Sequence, residues 1–352
     1  MANLFEQIYL LLIESLFLYL HIMKNLFPLA FVLFMVGSLK SFGQTSVQLH
    51  ETAKAFMLHG DYSNAILVLN RCIEQDPRNL SMSKDLAMSY LYKPDLAKAK
   101  EIITSLTDRN DADDQIFQIA GTIYKQSGDN RESEKLYKKG LKKFPDSGPL
   151  YNELGELQSA DKKEEAIKTW EKGIEKDPSY SRNYYNAARY YFFSTDKIRS
   201  ILYSEIFVNI EPNGKRTPEM KQLLMDSYKK FFAVSDLSKN KNKFEKIYLE
   251  SLDKFSSLTS SGINTETISM IRTRFVLEWF ALPKKLSFHL FDYQQQLLQE
   301  GIFEAYNQWL FGAAENLPAY ENWISTHTAE NNTFSALQKA RIFKVPSGQY
   351  YW

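Results

Sequence analysis

The sequence has very little cysteine. Cys72 is the only one in 352 residues. A single thiol excludes a disulfide framework, a cysteine-ligated zinc site and a Cys-x-x-Cys redox motif within one chain. A lone cysteine at an apolar helical position usually behaves as a small hydrophobic residue, so we expect Cys72 to be buried.

The chain also lacks an excess of charge of either sign. Its formal net charge is +1, with 44% hydrophobic and 24% charged residues. Such a balance is ordinary for a folded protein and offers no electrostatic footprint for nucleic acid. Glycine is scarce (14 residues), whereas tyrosine (21) and phenylalanine (24) are abundant. This composition suits aromatic-filled interfaces between helices.

Motifs that would carry chemistry are missing as well. The sequence contains no G-x-S-x-G, G-x-x-x-x-G-K-[ST], G-x-G-x-x-G or H-E-x-x-H. Its five histidines, at positions 21, 50, 59, 289 and 327, show no metal-ligand spacing. We therefore predict a protein without catalytic activity, metal or cofactor.

The first 44 residues differ from the rest and predict a signal peptide or a membrane anchor. Read from Met23, the chain has a basic start at Lys24, an apolar run over 26–36 and a small-x-small site at 41–43. These are the three parts of a secretory signal, with cleavage near Gly43/Gln44. Alternatively, translation from Met1 gives a longer apolar segment, and residues 1–39 associate with the membrane. Both interpretations place the remaining chain outside the cytoplasm, in the periplasm or secreted.

A fixed period begins after this segment. Gly60 is followed by Gly128 after two intervals of 34 residues. Pro77 is followed at the same double interval by Pro145, and then by Pro178 and Pro212. A period near 34 is typical of a helix-turn-helix repeat.

The residues at this period resemble the tetratricopeptide repeat (TPR). Five copies lie at 46–79, 80–113, 114–147, 148–180 and 181–212, within a predicted domain at 45–212. Small residues occur where the first helix would approach the second: Ala53, Ala87, Gly121, Gly155 and Ala188. Matching small residues occur on the second helix: Ala65, Ala99, Ser133, Ala166 and Ser200. The resemblance implies an all-α, TPR-type α-solenoid, whose helix pairs bury their apolar faces by stacking.

The same resemblance implies a concave face lined mainly by the first helix of each copy. Ten candidate peptide-binding residues lie there: His50, Lys54, Lys84, Met88, Gln118, Lys125, Asn152, Arg182, Tyr185 and Arg189. Their mixture of basic, polar and apolar groups suits an extended peptide with some acidic character. His50 and Lys54 differ from the lysine and asparagine with which some family members hold a terminal carboxylate. We therefore predict a scaffold or adaptor for a protein or peptide of the cell envelope.

Residues 213–352 lose the period but keep a helical pattern, and their family is unassigned. Thr217-Pro218 predicts a helix start, and further helices are expected near 242–259, 265–282, 286–313 and 329–342. The segment FEAYNQWLFG (303–312) is the most aromatic in the chain. Either it is helix core, or Tyr306, Trp309 and Phe311 line a ligand site. The second interpretation gives an alternative function, an enzyme or small-ligand receptor that uses the repeats as a docking arm.

Overall fold

The computed structural model describes residues 44–233, 242–282 and 287–349. These ranges are all-α, without a β-strand, which confirms the predicted fold class. None of their helices combines the length and the apolarity needed to cross a bilayer. The predicted signal or anchor lies outside the described residues except for Gln44, and so do the last three residues.

Each predicted repeat contains two helices. The ten helices are α1 (Ser46–Leu58), α2 (Tyr62–Gln75), α3 (Leu80–Tyr92), α4 (Leu96–Thr107), α5 (Asp114–Gln126), α6 (Asn130–Lys143), α7 (Gly148–Gln158), α8 (Lys163–Lys176), α9 (Ser181–Phe193) and α10 (Lys197–Ile210). The chain divides into two compact units between Met82 and Ser83. The predicted domain limits at 45–212 and 213–352 stay a prediction.

The first unit contains the pair α1 and α2. Ala53 on α1 and Ala65 on α2 are completely buried, as the small-residue pattern requires. Cys72 is also completely buried, which confirms the prediction made from its lone position. Burial raises the pKa of its thiol.

The turns between paired helices have a recurrent polar cap. Asp61, Asp95, Asp129 and Asp196 each accept a hydrogen bond from the backbone N–H three residues later. An aspartate at this position accepts a hydrogen bond from one of the free N–H groups of the first turn. Its negative charge also stabilises the positive end of the helix dipole. Gly60 and Gly128 precede two of these caps with φ of 75° and 79°, where glycine is the residue without steric cost.

Close helix approach explains the other periodic glycines. A Cβ atom built on Gly121 would lie 2.1 Å from the Tyr137 ring, and one on Gly155 would lie 2.3 Å from Trp170 Nε1. Ser133 Oγ donates to the Gly121 carbonyl at 2.8 Å. The expectation that small residues mark close contacts between paired helices is confirmed at these positions.

After the repeats, helices continue in a less regular arrangement. They are α11 (Thr217–Ala233), α12 (Lys243–Asp253), a 3₁₀ helix (Ser256–Ser261), α13 (Thr265–Ala281), α14 (His289–Gln299), α15 (Phe303–Asn307), a π-helix (Gln308–Gly312), α16 (Ala313–Glu315), α17 (Leu317–Thr326) and α18 (Thr328–Ala340). The helix expected near 286–313 is interrupted between Gln299 and Phe303, where Gly301 has a φ of 73°. Sequence reasoning missed α17, although Asn316 caps this helix and Pro318 lies in its first turn, which are recognisable signals of a helix start.

Candidate functional site

Several predicted groove residues bond from one repeat to the next. Lys84 Nζ on α3 donates to Asp113 Oδ2 at 2.6 Å and to Gln115 Oε1 at 2.8 Å. Lys125 Nζ on α5 lies 3.4 Å from Glu153 Oε2 on α7. The Lys84 side chain is only 12% exposed. These two lysines therefore hold neighbouring first helices together.

Asn152 has a comparable role one repeat further on. It is completely buried, and its Nδ2 donates to Glu156 Oε1 at 3.1 Å. Asn186 Nδ2 on α9 donates to Asn152 Oδ1 at 2.8 Å and to Glu156 Oε1 at 3.3 Å. A buried amide with its bonds made in this way orders the interface between α7 and α9.

Tyr185 on α9 lies between two arginines. The centres of the Arg189 and Arg216 guanidiniums are 5.3 Å and 4.8 Å from its ring centroid. Tyr185 Oη donates to Glu219 Oε2 on α11 at 2.9 Å. Burial, together with this bond to a carboxylate, raises the pKa of Tyr185. Tyr185 is buried, whereas Arg189 and the nearby Arg182 are exposed.

The remaining predicted groove residues contribute less to the contacts between neighbouring repeats. Met88 and Gln118 are half-buried, and Gln118 bonds within its own helix to Asp114 at 3.4 Å. In the first unit, His50 is buried and Lys54 forms a 2.9 Å ion pair with Glu51. The ten predicted positions therefore include several that bond to neighbouring residues and a few that are accessible.

An open cavity of about 570 Å³ lies between α7, α8 and α9, in the fourth and fifth repeats. Its lining residues are Glu156, Ser159, Lys163, Ala166, Trp170, Asn186, Arg189, Tyr190, Phe193 and Ser194. Phe193 is 80% exposed, while Trp170 is buried and donates from Nε1 to the Asn152 carbonyl at 3.4 Å. Of the predicted groove residues, Arg189 is in this lining.

A lysine holds the end of α9 beside the cavity. Lys197 Nζ donates to the Phe192 carbonyl at 2.7 Å and also to the Ser194 carbonyl. Carbonyl groups at a helix C-terminus need such partners, and here an ammonium supplies them in a turn that has no glycine. Lys230 Nζ lies 3.6 Å from the Phe192 ring centroid. These bonds therefore hold residues 192–194 at the end of α9, of which Phe193 and Ser194 line the cavity.

Sequence reasoning missed Lys163, Trp170, Tyr190 and Phe193 as site residues. The family pattern directs attention to first-helix positions, but Lys163 and Trp170 lie on α8, the second helix of its pair. Phe193 had one usable signal. It is the second of two consecutive phenylalanines at a helix end, where one of them cannot face the core.

The aromatic segment 303–312 forms packed core. Tyr306 and Phe311 are completely buried, and Tyr306 Oη donates to Glu205 Oε1 at 2.8 Å. Trp309 is partly buried against Lys221, whose Nζ is 3.8 Å from the ring centroid. This packing favours the helix-core interpretation over a ligand site lined by these rings. Within the described ranges, no group of three or more histidine, cysteine, aspartate or glutamate side chains could hold a metal ion.

Comparisons with known proteins give a similarity of architecture. No family profile matches the sequence, and no curated protein matches it. Among solved structures, PilF of Pseudomonas aeruginosa has a TM-score of 0.45 at 14% identity, over 53% of this chain and 84% of that one. A thermophilic TPR protein of Thermus thermophilus has a TM-score of 0.43 at 12% identity, over 52% of this chain and 99% of that one. The type IV pilus biogenesis factor PilW has a TM-score of 0.43 at 16% identity, over 53% of this chain and 86% of that one.

These TM-scores are below 0.5, so the assignment of the repeats depends on their internal geometry. Paired helices recur at the 34-residue period with small residues at their contacts. The fold is a TPR-type α-solenoid followed by a helical C-terminal region.

Proposed function

We propose that this protein is a scaffold that binds a protein or peptide partner on the first helices of its fourth and fifth repeats. The observation that carries the proposal is the open cavity between α7, α8 and α9, with Arg189 and Phe193 exposed at it. A cleft that combines aromatic groups with a few polar ones is typical of a binding site. The function proposed is binding, without catalysis.

The inter-repeat bonds support this proposal by a second route. Lys84, Lys125 and Asn186 each bond to the next or the preceding first helix. Such bonds order the surface before a partner arrives, which reduces the entropy lost on binding. Asn186 lies in the lining of the cavity, so its bonds act at the proposed site, whereas those of Lys84 order an earlier part of the solenoid.

Site-specific photo-crosslinking in the cells that make the protein tests the proposal. A benzoylphenylalanine at position 182, on the exposed first-helix face, is expected to trap a discrete partner. The crosslink should disappear when Arg189→Glu is added, because this change reverses the charge at the cavity.

The control position is Lys142, an exposed residue on α6, the second helix of its pair. It should trap nothing at comparable yield. If positions 142 and 182 trap the same proteins, or if neither traps any, the proposed function is wrong.

We further propose that the protein is exported and that its partner belongs to the cell envelope. The support is the signal-like sequence from Met23 to Gly43. An intact mass that begins at Gln44, in a soluble envelope fraction, is the expected result. A mass that includes residues before Met23, in the membrane pellet, would instead support the anchor. Recovery of the whole chain in the cytoplasm would contradict both.

A further inference from the structure

The cavity between α7, α8 and α9 has an aromatic wall and a rim with positive charge in excess. Trp170, Tyr190 and Phe193 supply the aromatic surface. The charged lining residues are Lys163, Arg189 and Glu156. An aromatic pocket beside two cations is chemically suited to an apolar side chain that is accompanied by carboxylates.

The charges of the rim are not equally available. Glu156 Oε1 already accepts bonds from two buried or half-buried amides, at 3.1 Å and 3.3 Å. Arg189 forms a long ion pair with Glu219, 3.7 Å, in which both side chains are about half exposed. Lys163 is exposed and forms no ion pair with any residue that the structure describes. The unused charge at this cavity is therefore positive.

The aromatic part of the rim is held in place before binding. Lys197 fixes the carbonyl groups at the end of α9, and the Phe192 and Phe193 rings meet edge to face at 5.2 Å. Phe193 nevertheless leaves 80% of its surface in water. A ligand that covers this exposed ring removes its apolar surface from water, which favours binding.

We propose that this cavity is the anchoring site for a segment of the partner that carries one aromatic side chain flanked by aspartate or glutamate. The proposal rests on the function proposed above and specifies its ligand chemistry. The partner's aromatic ring packs against Trp170, Tyr190 and Phe193. Its flanking carboxylates pair with Lys163 and Arg189.

Fluorescence polarisation with the full chain tests this specificity. The probe is a labelled heptapeptide with blocked ends, one central phenylalanine and two acidic residues on each side. Binding is expected to weaken about tenfold when the central residue becomes alanine, because the buried ring is lost. Conversion of the four acidic residues of the probe to their amides should abolish most of the dependence of its affinity on salt concentration.

Matched variants assign the binding to this cavity. Phe193→Ala should lower the affinity for the probe about fivefold or more. Leu277→Ala removes an exposed apolar residue on α13 and should leave the affinity unchanged. Lys163→Gln should lower the affinity for the probe about threefold, and Lys142→Gln should not change it.

Absence of saturable binding by the probe would overturn the proposal, and so would equal effects of Phe193→Ala and Leu277→Ala. If crosslinking from position 182 still traps a partner in any of these cases, the scaffold function stands and only the ligand chemistry is wrong.

Discussion

The guanidinium of Arg272 on α13 lies against the carboxylate of Glu205 on α10. Nη2 is 2.6 Å from Oε1 and Nη1 is 2.7 Å from Oε2, and both side chains are at most 2% exposed. Asn307 Oδ1 accepts from Arg272 Nε at 2.6 Å, and Gln294 Nε2 donates to Glu205 at 2.7 Å. The last helix of the repeats is thereby joined to three helices of the C-terminal region.

Removal of one partner of this pair should be costly. Arg272→Met leaves the Glu205 carboxylate buried without its counter-charge, and we expect the free energy of unfolding to fall by about 3–5 kcal/mol. Urea unfolding followed by circular dichroism measures the loss. The double variant Glu205→Leu/Arg272→Met should be more stable than Arg272→Met alone, because no isolated buried charge remains. A double variant as unstable as the single one would contradict this explanation.

Gly155 is expected to tolerate no side chain. Gly155→Ala places a Cβ atom 2.3 Å from Trp170 Nε1, so the indole must shift and its bond to the Asn152 carbonyl weakens. We expect a loss of about 1–3 kcal/mol in the free energy of unfolding. Lys142→Ala, on an exposed helix position, is the control and should change stability by less than about 0.5 kcal/mol. Thermal and urea denaturation should agree on the order of the two variants.

The stability should depend on pH through Lys221. Burial lowers the pKa of Lys221 to about 7, whereas an unfolded lysine titrates near a pKa of about 10.4. Between these values the unfolded chain binds more protons, so the contribution of Lys221 to stability rises with pH across the window. Below pH ~7 the half-buried amine is protonated in both the folded and the unfolded chain, so its unfavourable contribution no longer changes with pH.

Lys221→Met tests this sign directly. At pH ~6 the variant should be more stable than the wild type by roughly 1–2 kcal/mol, and the difference should shrink or reverse by pH ~10. Urea midpoints of both proteins at several pH values give the comparison. A difference that does not change with pH would show that Lys221 does not titrate in this window.

Lys84 should contribute to stability and not to recognition. Its ammonium is held between Asp113 and Gln115, so Lys84→Gln is expected to cost about 1 kcal/mol of unfolding free energy. The affinity of the acidic heptapeptide should change by less than about twofold. Lys98→Gln removes an exposed lysine 3.9 Å from Asp95 and serves as the control for stability. A large loss of peptide affinity with Lys84→Gln would show instead that Lys84 takes part in peptide binding.

Cys72 reports on opening of the first helix pair. Because its side chain is completely buried, the native protein should react slowly with a thiol-specific disulfide reagent, and one equivalent should react in urea. The reaction rate in native buffer then measures opening around residues 46–75. Fast stoichiometric labelling of the folded protein would show that the thiol is accessible.

The sequence alone determines the parts of this protein that depend on local, repeated contacts. Close approach of two adjacent helices needs small residues at set intervals, and Gly121 and Gly155 show this pattern without knowledge of the structure. The aspartate caps and the buried Cys72 follow from equally local rules. In the C-terminal region, helix α11 could be predicted from its Thr-Pro start, because proline in the first turn of a helix is a local signal.

The tertiary structure decided what lies between repeats and beyond them. Lys84 and Asn152 occupy predicted groove positions, but only the stacking of successive helix pairs shows that they bond to neighbouring helices. The cavity depends on how α9 lies against α7 and α8, and Trp170 reaches it from a second helix. Glu205 and Arg272 are 67 residues apart. No period connects them, because their contact is set by the packing of whole helices and not by the local geometry of one repeat.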